Sequence, residues 1–405
     1  MRDGSGVTRE ASKGIEGSVV RLVDDLIESA CVARASDIHL DPRPGGVVVR
    51  LRIDGSLQES QILPLSVHAE IISRIKVLSG LRTDEHQAAQ DGRFRAVSGA
   101  GPSLNVRVSI IPTYHGENVV MRLLSDQAEE FTLEKLGFTP DNSAKILKAA
   151  RKPYGMILAT GPTGSGKTTT LYTLVKMLNQ PDVSIITIED PIEYSLEGVN
   201  QIQVNDRTGL TFGNGLRSVL RQDPNIVMVG EIRDKETAGI AVNTALTGHL
   251  ILSTLHTNNA STTLPRLLDM KIEPYLIAST VSIAIGQRLV RRICKQCKKT
   301  RPLSELERRS LSEIIPSELL FEHGTFYVGA GCVTCNGTGY RGRAGIHEVL
   351  EIDTTIRDAI LSKASAGEIQ SRAIKNGMMP MIVDGFCKAA QGVTTIEEVL
   401  RMRYE

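Results

Sequence analysis

The sequence predicts an α/β protein of two domains: a small α/β domain, then a mainly parallel sheet with helices on both faces. Three observations point there. The octapeptide Gly161-Pro162-Thr163-Gly164-Ser165-Gly166-Lys167-Thr168 fits the phosphate-cradling pattern G-x-x-x-x-G-K-[ST]. Around it, short apolar runs (Met156 to Thr160, Ser184 to Ile188, Ile226 to Val229, His249 to Thr254) alternate with helical stretches, as parallel strands joined by crossover helices do. Ahead of it, a helical period gives way to β-branched runs that form a separate unit. With 405 residues the chain has length for two or three domains, each burying its own core.

Taken in order, residues 1–14 are polar and rich in Gly and Ser, and read as a flexible tail. From Val19 on, Val20, Leu22, Val23, Leu26 and Ile27 recur at helical spacing, and Val47 to Ile53 is an extended run closed by the turn dipeptide Asp54-Gly55. A helix around Ile71 to Val77, a turn at Gln90-Asp91-Gly92, and strands Leu104 to Ile111 and Asn118 to Leu124 complete a first domain over 15–125. Ser125 to Pro140 mixes acidic residues, a glycine and a proline without periodicity, so 126–140 reads as a linker and a place for a hinge. The second domain spans 141–405. Its strand Met156 to Thr160 and helix Thr168 to Leu178 put the glycines on a strand-to-helix turn, the context a phosphate loop requires. An insertion follows at about 290–345. From Asp353 three helical segments finish the chain, the last opened by a capping box, Thr394 with Glu397.

Composition limits the functions available. The 47 basic and 46 acidic side chains nearly cancel, Trp is absent and aromatics are sparse, which argues against a nucleic-acid binder. No run approaches 18 apolar residues and the start, Met1 to Gly6, lacks an apolar signal region; the expectation is a cytoplasmic protein, neither spanning nor secreted. No N-K-x-D or T-K-x-D segment occurs to read guanine.

The loop itself implies a bound nucleoside triphosphate. Glycines let the backbone wrap the phosphates with its N–H groups turned inward, Lys167 reaches the β/γ-phosphates, Thr168 offers a hydroxyl to Mg²⁺, and Thr169 continues the helix whose N-terminus adds partial positive charge. Two apolar strands then end in carboxylates, Glu189-Asp190 with Glu193 after one, Glu231 with Asp234 after the other. Hydrolysis of a triphosphate needs one acidic group for the Mg²⁺ shell and one to orient the attacking water. His249 and His256 bracket a strand of their own; a lone strand-end histidine is usually structural, and roughly 23 Å of strand at 3.3 Å per residue keeps the two from sharing an ion. Four of six cysteines form two C-x-x-C pairs, Cys294/Cys297 and Cys332/Cys335, around 34 residues (298–331). Four thiolates at that spacing fit a closed structural Zn²⁺ site, with a redox dithiol as the alternative. Cys31 and Cys387 read as core thiols, and Arg288, Arg291, Arg292, Lys295, Lys298 and Lys299 as a solvated basic face, with acidic partners or lipid headgroups as the alternative.

The phosphate loop, Thr187-Ile188-Glu189-Asp190-Pro191-Ile192-Glu193, Val229-Gly230-Glu231-Ile232-Arg233-Asp234, and the segment from Thr247-Gly248-His249 to His256 resemble the Walker A, Asp box, Walker B and His box of the type II secretion / type IV pilus ATPase family. Ala35-Ser36-Asp37-Ile38-His39, Arg52-Ile53-Asp54-Gly55, Gln90-Asp91-Gly92-Arg93 and Gly116-Glu117-Asn118 resemble its PAS-like N-terminal domain; Asp384-Gly385 and Gly392 to Val399 resemble its closing helices. The resemblance implies a PAS-like domain, a RecA-like ATPase domain with a zinc-binding insertion and C-terminal helices, and assembly as a homo-hexamer with ATP next to a neighbouring subunit. It implies Glu189 as water-orienting base, Glu231 on the Mg²⁺ side, and charge on the phosphates from Arg107, Arg122, Arg217 and Arg221. The paired cysteines resemble the extension and secretion members more than retraction motors. A longer member would carry a further N-terminal domain, with which this chain does not start. The resemblance further implies a motor for pilin polymerisation working through an inner-membrane platform protein, peripheral to that membrane. A type II secretion motor is the alternative, and a nucleotide-bound scaffold or a DNA translocase are alternatives of another class.

Overall fold

Apolar residues on one face of a helical period, Val23, Leu26, Ile27 and Ala30, are the buried side of α1 (Val19–Val32). They close over an antiparallel sheet of six strands. In the computed structural model, which describes residues 19–97, 103–125, 132–322 and 325–402, the chain divides into two units, Met1–Ala128 and Glu129–Glu405. The first contains α1, β1 (Ala35–Arg43), β2 (Gly46–Ile53), β3 (Ser56–Leu63), α2 (His68–Ser79), β4 (Gln90–Val97), β5 (Ser103–Thr113) and β6 (Gly116–Ser125), with strand order β3-β2-β1-β6-β5-β4. Alternation sends Ile38, Leu40, Val49, Val106, Val108, Val119 and Met121 into a core with α1 and with Ile71, Ile72 and Ile75 of α2. The fully buried Lys76 of α2 is neutralised by Glu117, 2.7 Å away.

The second unit opens with α3 (Leu133–Leu136), α4 (Pro140–Ala150), β7 (Gly155–Thr160), α5 (Lys167–Leu178), β8 (Ile185–Glu189) and β9 (Asn200–Gln203). It continues through α6 (Phe212–Val219), β10 (Ile226–Val229), α7 (Lys235–Leu246), β11 (Leu250–Leu255), α8 (Thr263–Asp269), α9 (Pro274–Thr280) and β12 (Val281–Ile293). Next come β13 (Lys298–Arg301), α10 (Glu305–Ser312), α11 (Ser317–Glu322), β14 (Phe326–Gly329) and β15 (Tyr340–Glu351), then α12 (Thr354–Leu361), α13 (Ala366–Lys375), α14 (Met381–Ala390) and α15 (Ile396–Arg401). Its seven-stranded sheet runs β15-β12-β7-β11-β10-β8-β9, parallel from β12 to β9, with β15 antiparallel at one edge. Both faces are covered. Met156, Leu158, Ile186 and Val227 pack with Leu216 of α6, Ala241 of α7 and Ile277 of α9; Ile157, Ala159 and Met228 pack with Ile146 of α4 and Leu171 and Leu174 of α5. β13 and β14 form a separate two-stranded antiparallel sheet.

The structure departs from the sequence expectations at definable places. Gln90-Asp91-Gly92 opens β4 instead of making a turn; a Cβ on Gly92 would stand 2.8 Å from the Ser79 carbonyl, so the glycine admits the end of α2. Of the expected linker, 126–131 lies outside the described residues, as does the expected tail, while Leu133 and Phe138 are core residues of the second unit, with Thr132 capping α3. Among the described residues four helices, not three, follow Asp353, and the last is capped by Thr395 accepting from the Glu398 N–H, one residue later than expected, because the Thr394 hydroxyl donates instead to the Arg291 carbonyl. The basic run is not one solvated face: Arg288 is buried, Arg291 pairs with Glu398 and lies over the Tyr340 ring, and Lys298 lies over Tyr327.

Candidate nucleotide site and metal centre

The carboxyl ends of adjacent parallel strands collect the expected chemistry along one edge. β7 leads into the phosphate loop, β11 into His256, β10 into Glu231, and β8 ends on Glu189. In the loop, Gly161, Gly164 and Gly166 take φ of +147°, +79° and +87°, backbone that L side chains rarely adopt. Pro162, Thr163 and Gly164 form the exposed crest, and Ser165 and Lys167 are buried beneath it. The Lys167 ammonium donates to the carbonyls of Gly161 at 2.7 Å and Pro162 at 3.0 Å. Burial lowers its pKa and the charge of Glu231 opposes that shift. Thr168 and Thr169 are half-buried in the first turn of α5, the Thr169 carbonyl accepting from the Thr173 hydroxyl.

Glu189 is 2% exposed. Its carboxylate accepts from the hydroxyls of Tyr172 and Thr187 and from Gln201 Nε2 at 3.2 Å. Burial raises its pKa against those three donors, leaving a carboxylate that is oriented and more basic than in water. Glu231 accepts from Arg233 at 2.6 Å and sits 3.1 Å from His256 Nε2. Gly230 permits the close approach of the two acidic strand ends: its Cβ would meet the Glu189 Cα at 3.3 Å.

The other expected residues are placed elsewhere. His249 stands before β11, at the opposite end of the sheet, with Nδ1 3.1 Å from the Thr244 carbonyl at the end of α7, so the fold does not bring it to the loop. On and just after α6, Arg217 pairs with Glu236 at 2.7 Å and Arg221 donates to the Arg217 carbonyl and Ser218; among the described residues neither bonds to the loop, Glu189 or Glu231. In the first unit, register aligns Arg52, Asp37, Arg122, Arg107 and Arg93 in one row across β2, β1, β6, β5 and β4. Asp37 takes Arg122 at 3.0 Å and Arg52 at 3.4 Å. Arg107 lies between Arg93 and Arg122 in this register.

Three polar residues of the site carried no motif signal. Tyr172 and Gln201 hold Glu189, and Thr160, at the end of β7, accepts from the Thr257 N–H at 3.1 Å, tying the loop strand to the segment after His256. A hydroxyl or amide inside an apolar run is visible only once its partner is placed.

The cysteines converge as their spacing implied. The four sulfurs of Cys294, Cys297, Cys332 and Cys335 lie within 4.8 Å of one another. Cys294 to Cys332 and Cys297 to Cys335 are 3.8 Å, and Cys332 to Cys335 is 3.7 Å. A tetrahedron with Zn–S bonds of about 2.3 Å has edges of about 3.8 Å. The N–H groups of Cys332 and Gly339 point at the Cys335 sulfur at 3.2 Å, as second-sphere donors to a metal thiolate do. The set can hold a metal ion. Cys31 and Cys387 are half-buried, and burial raises both thiols.

A family model described as Type II/IV secretion system protein matches residues 13–401. Type II secretion system protein E of Xanthomonas campestris pv. campestris is 48% identical over 389 residues, 96% of this chain and 68% of that protein. The type IV pilus assembly ATPase PilB of Thermus thermophilus is 46% identical over 391 residues, 96% of this chain but 43% of its own length. Among solved structures, that of the pilus retraction motor PilT with bound ADP superposes with a TM-score of 0.63 at 27% identity, covering 94% of this chain and 96% of that one. With this match over nearly all its length, on a RecA-like fold carrying the phosphate loop and both acidic strand ends, the chain belongs to the Type II/IV secretion system protein family.

Proposed function

We propose that this chain hydrolyses ATP as the motor of type IV pilus assembly, working as a homo-hexamer on an inner-membrane platform protein and without a specific nucleic-acid partner. The observation that carries the reading is the single edge on which the phosphate loop, Glu231 and Glu189 stand side by side at the ends of parallel strands, the place where α/β sheets bind ligands. Gly161 to Thr169 hold the nucleotide phosphates. Lys167 exchanges its two carbonyl partners for phosphate oxygens. Thr168 and Glu231 offer the hard oxygen donors that Mg²⁺ takes, the ion when bound neutralising charge on the β- and γ-oxygens. Glu189, fixed by Tyr172, Thr187 and Gln201, orients the attacking water. His256 steadies Glu231. Arg107 and Arg122, with Arg217 and Arg221, supply charge to the phosphates in the assembled ring. The four cysteines hold structural Zn²⁺. Among the described residues no helix is long and apolar enough to cross a membrane, and attachment to the inner membrane, from the cytoplasmic side, runs through partners.

A type II secretion motor is the second reading, favoured by the 48% identity to the Xanthomonas protein. Both readings share one test of the site. Lys167→Ala should lower ATP hydrolysis by at least about 100-fold while the circular dichroism spectrum stays that of the wild type; hydrolysis at the wild-type rate would remove the loop from the mechanism.

A further inference from the structure

Gln287 stands on β12, a strand that contributes no residue to the phosphate loop, yet both ends of its side-chain amide are spent there. Nε2 donates to the Ser165 carbonyl at 2.7 Å, and Oε1 accepts from the Thr170 hydroxyl at 2.8 Å. The residue is 2% exposed. Its backbone presses just as closely: a Cβ on Gly161 would come within 2.3 Å of the Gln287 carbonyl oxygen, and one on Gly166 within 3.1 Å of Nε2. Gln287 is therefore the floor under the loop as well as its tether.

The two bonds fix different things. In a trans peptide the carbonyl and the following N–H point in opposite directions. With the Ser165 carbonyl held down on Nε2, the Gly166 N–H faces away from the core, toward the side where an anion is bound. A half-turn of that one peptide plane would present a carbonyl oxygen to the phosphates in place of a donor. The bond to Thr170 holds the first turn of α5, whose free N–H groups complete the anion site. An amide provides donor and acceptor together in one rigid plane, which a hydrocarbon of equal size does not.

We propose that Gln287 is a positioning residue for the phosphate loop, setting the Ser165–Gly166 peptide plane and the start of α5 for nucleotide phosphates. This rests on the reading of the loop as a nucleotide site. It also links the two centres of the second unit, since the strand that runs directly into Cys294 carries the loop's support seven residues earlier.

The test is ADP binding by calorimetry for the wild type, Gln287→Leu, Gln287→Glu and Lys167→Ala, with thermal midpoints as fold controls. Gln287→Leu keeps the volume and loses both bonds, and should bind ADP about tenfold more weakly. Gln287→Glu should also bind weakly at neutral pH, where a carboxylate faces the Ser165 carbonyl. It should then recover affinity relative to the wild type as the pH is lowered, because a protonated carboxyl again offers one donor and one acceptor. A residue needed only for packing would show no such recovery. Binding by Gln287→Leu within about twofold of the wild type, or a Gln287→Glu pH profile parallel to the wild type's, overturns the assignment while a loss in Lys167→Ala leaves the nucleotide site standing. Unchanged binding in Lys167→Ala as well overturns the nucleotide reading itself.

Discussion

His347 shows how far burial governs single residues in this chain. It stands opposite Gln287 in the β12–β15 register, stacked on Phe138 with ring centroids 3.6 Å apart. Burial holds its pKa well below the ordinary 6.5, and the nearby Lys388 ammonium pushes the same way against a hydrogen bond that the ring donates to the Gly137 backbone. The native ring is neutral, so below pH 6.5 the unfolded chain takes up a proton that the folded one does not. Stability from this residue is complete above that pH and falls as pH decreases, by about 1.4 kcal/mol per unit until the native ring also titrates. His347→Gln should flatten the fall in unfolding free energy between about pH 6.5 and 5; parallel wild-type and mutant curves would contradict the burial argument. Nothing in the sequence marks His347, because a histidine in an apolar run reads the same whether it faces solvent or Phe138. Lys167, Glu189 and Glu231 were legible because local spacing alone puts Lys167 at the start of the helix after the loop and the two glutamates at or just past strand ends.

At the scale of elements, the metal centre joins pieces that sequence leaves apart. Cys294 directly follows β12, Cys332 and Cys335 precede β15, and Cys297 directly precedes β13, which pairs with β14. Gly329 and Gly339 face each other so closely that a Cβ on Gly329 would stand 1.9 Å from the Gly339 carbonyl. The module is fastened to the last helices by the Ile293 N–H to the Val393 carbonyl and by Tyr340 to Thr395. If the cysteines hold an ion, its loss should therefore loosen α14 and α15 as well as the β13–β14 pair. Wild-type protein is expected to contain about one zinc per chain by elemental analysis, and Cys294→Ser to lose it together with several degrees of thermal midpoint; zinc-free wild type of full stability would refute the site. The helices α1, α2 and α5 were readable from their periods or their place after the loop, and the parallel strands β7, β8, β10 and β11 as apolar runs, whereas the parallel strands β9 and β12 were not read. Strands β1 and β3 were not: β1 carries Asp37, His39 and Asp41 on its outer face, and the edge strand β3 is mostly polar and exposed. Gly92 read as a turn because sequence shows the missing Cβ but not the Ser79 carbonyl that requires it.

For the whole molecule, the chemistry divides unevenly between the two units. The second holds the loop, both acidic strand ends and the four cysteines; the first holds a row of arginines in which Arg107 has Arg93 and Arg122 as its cross-strand neighbours. The proposed motor turns on ATP being hydrolysed by an assembled ring in which these charges reach the phosphates. An arginine that completes a phosphoryl-transfer site raises the rate by about 10³ to 10⁵, so turnover should track assembly. The decisive experiment is specific ATPase activity against protein concentration, with molecular mass read on the same samples and Lys167→Ala as control. Activity per chain should climb as species of about six chains form, and the control should stay inactive throughout. Activity per chain that is the same in monomer and assembly, or equal in wild type and control, would refute the shared-site motor.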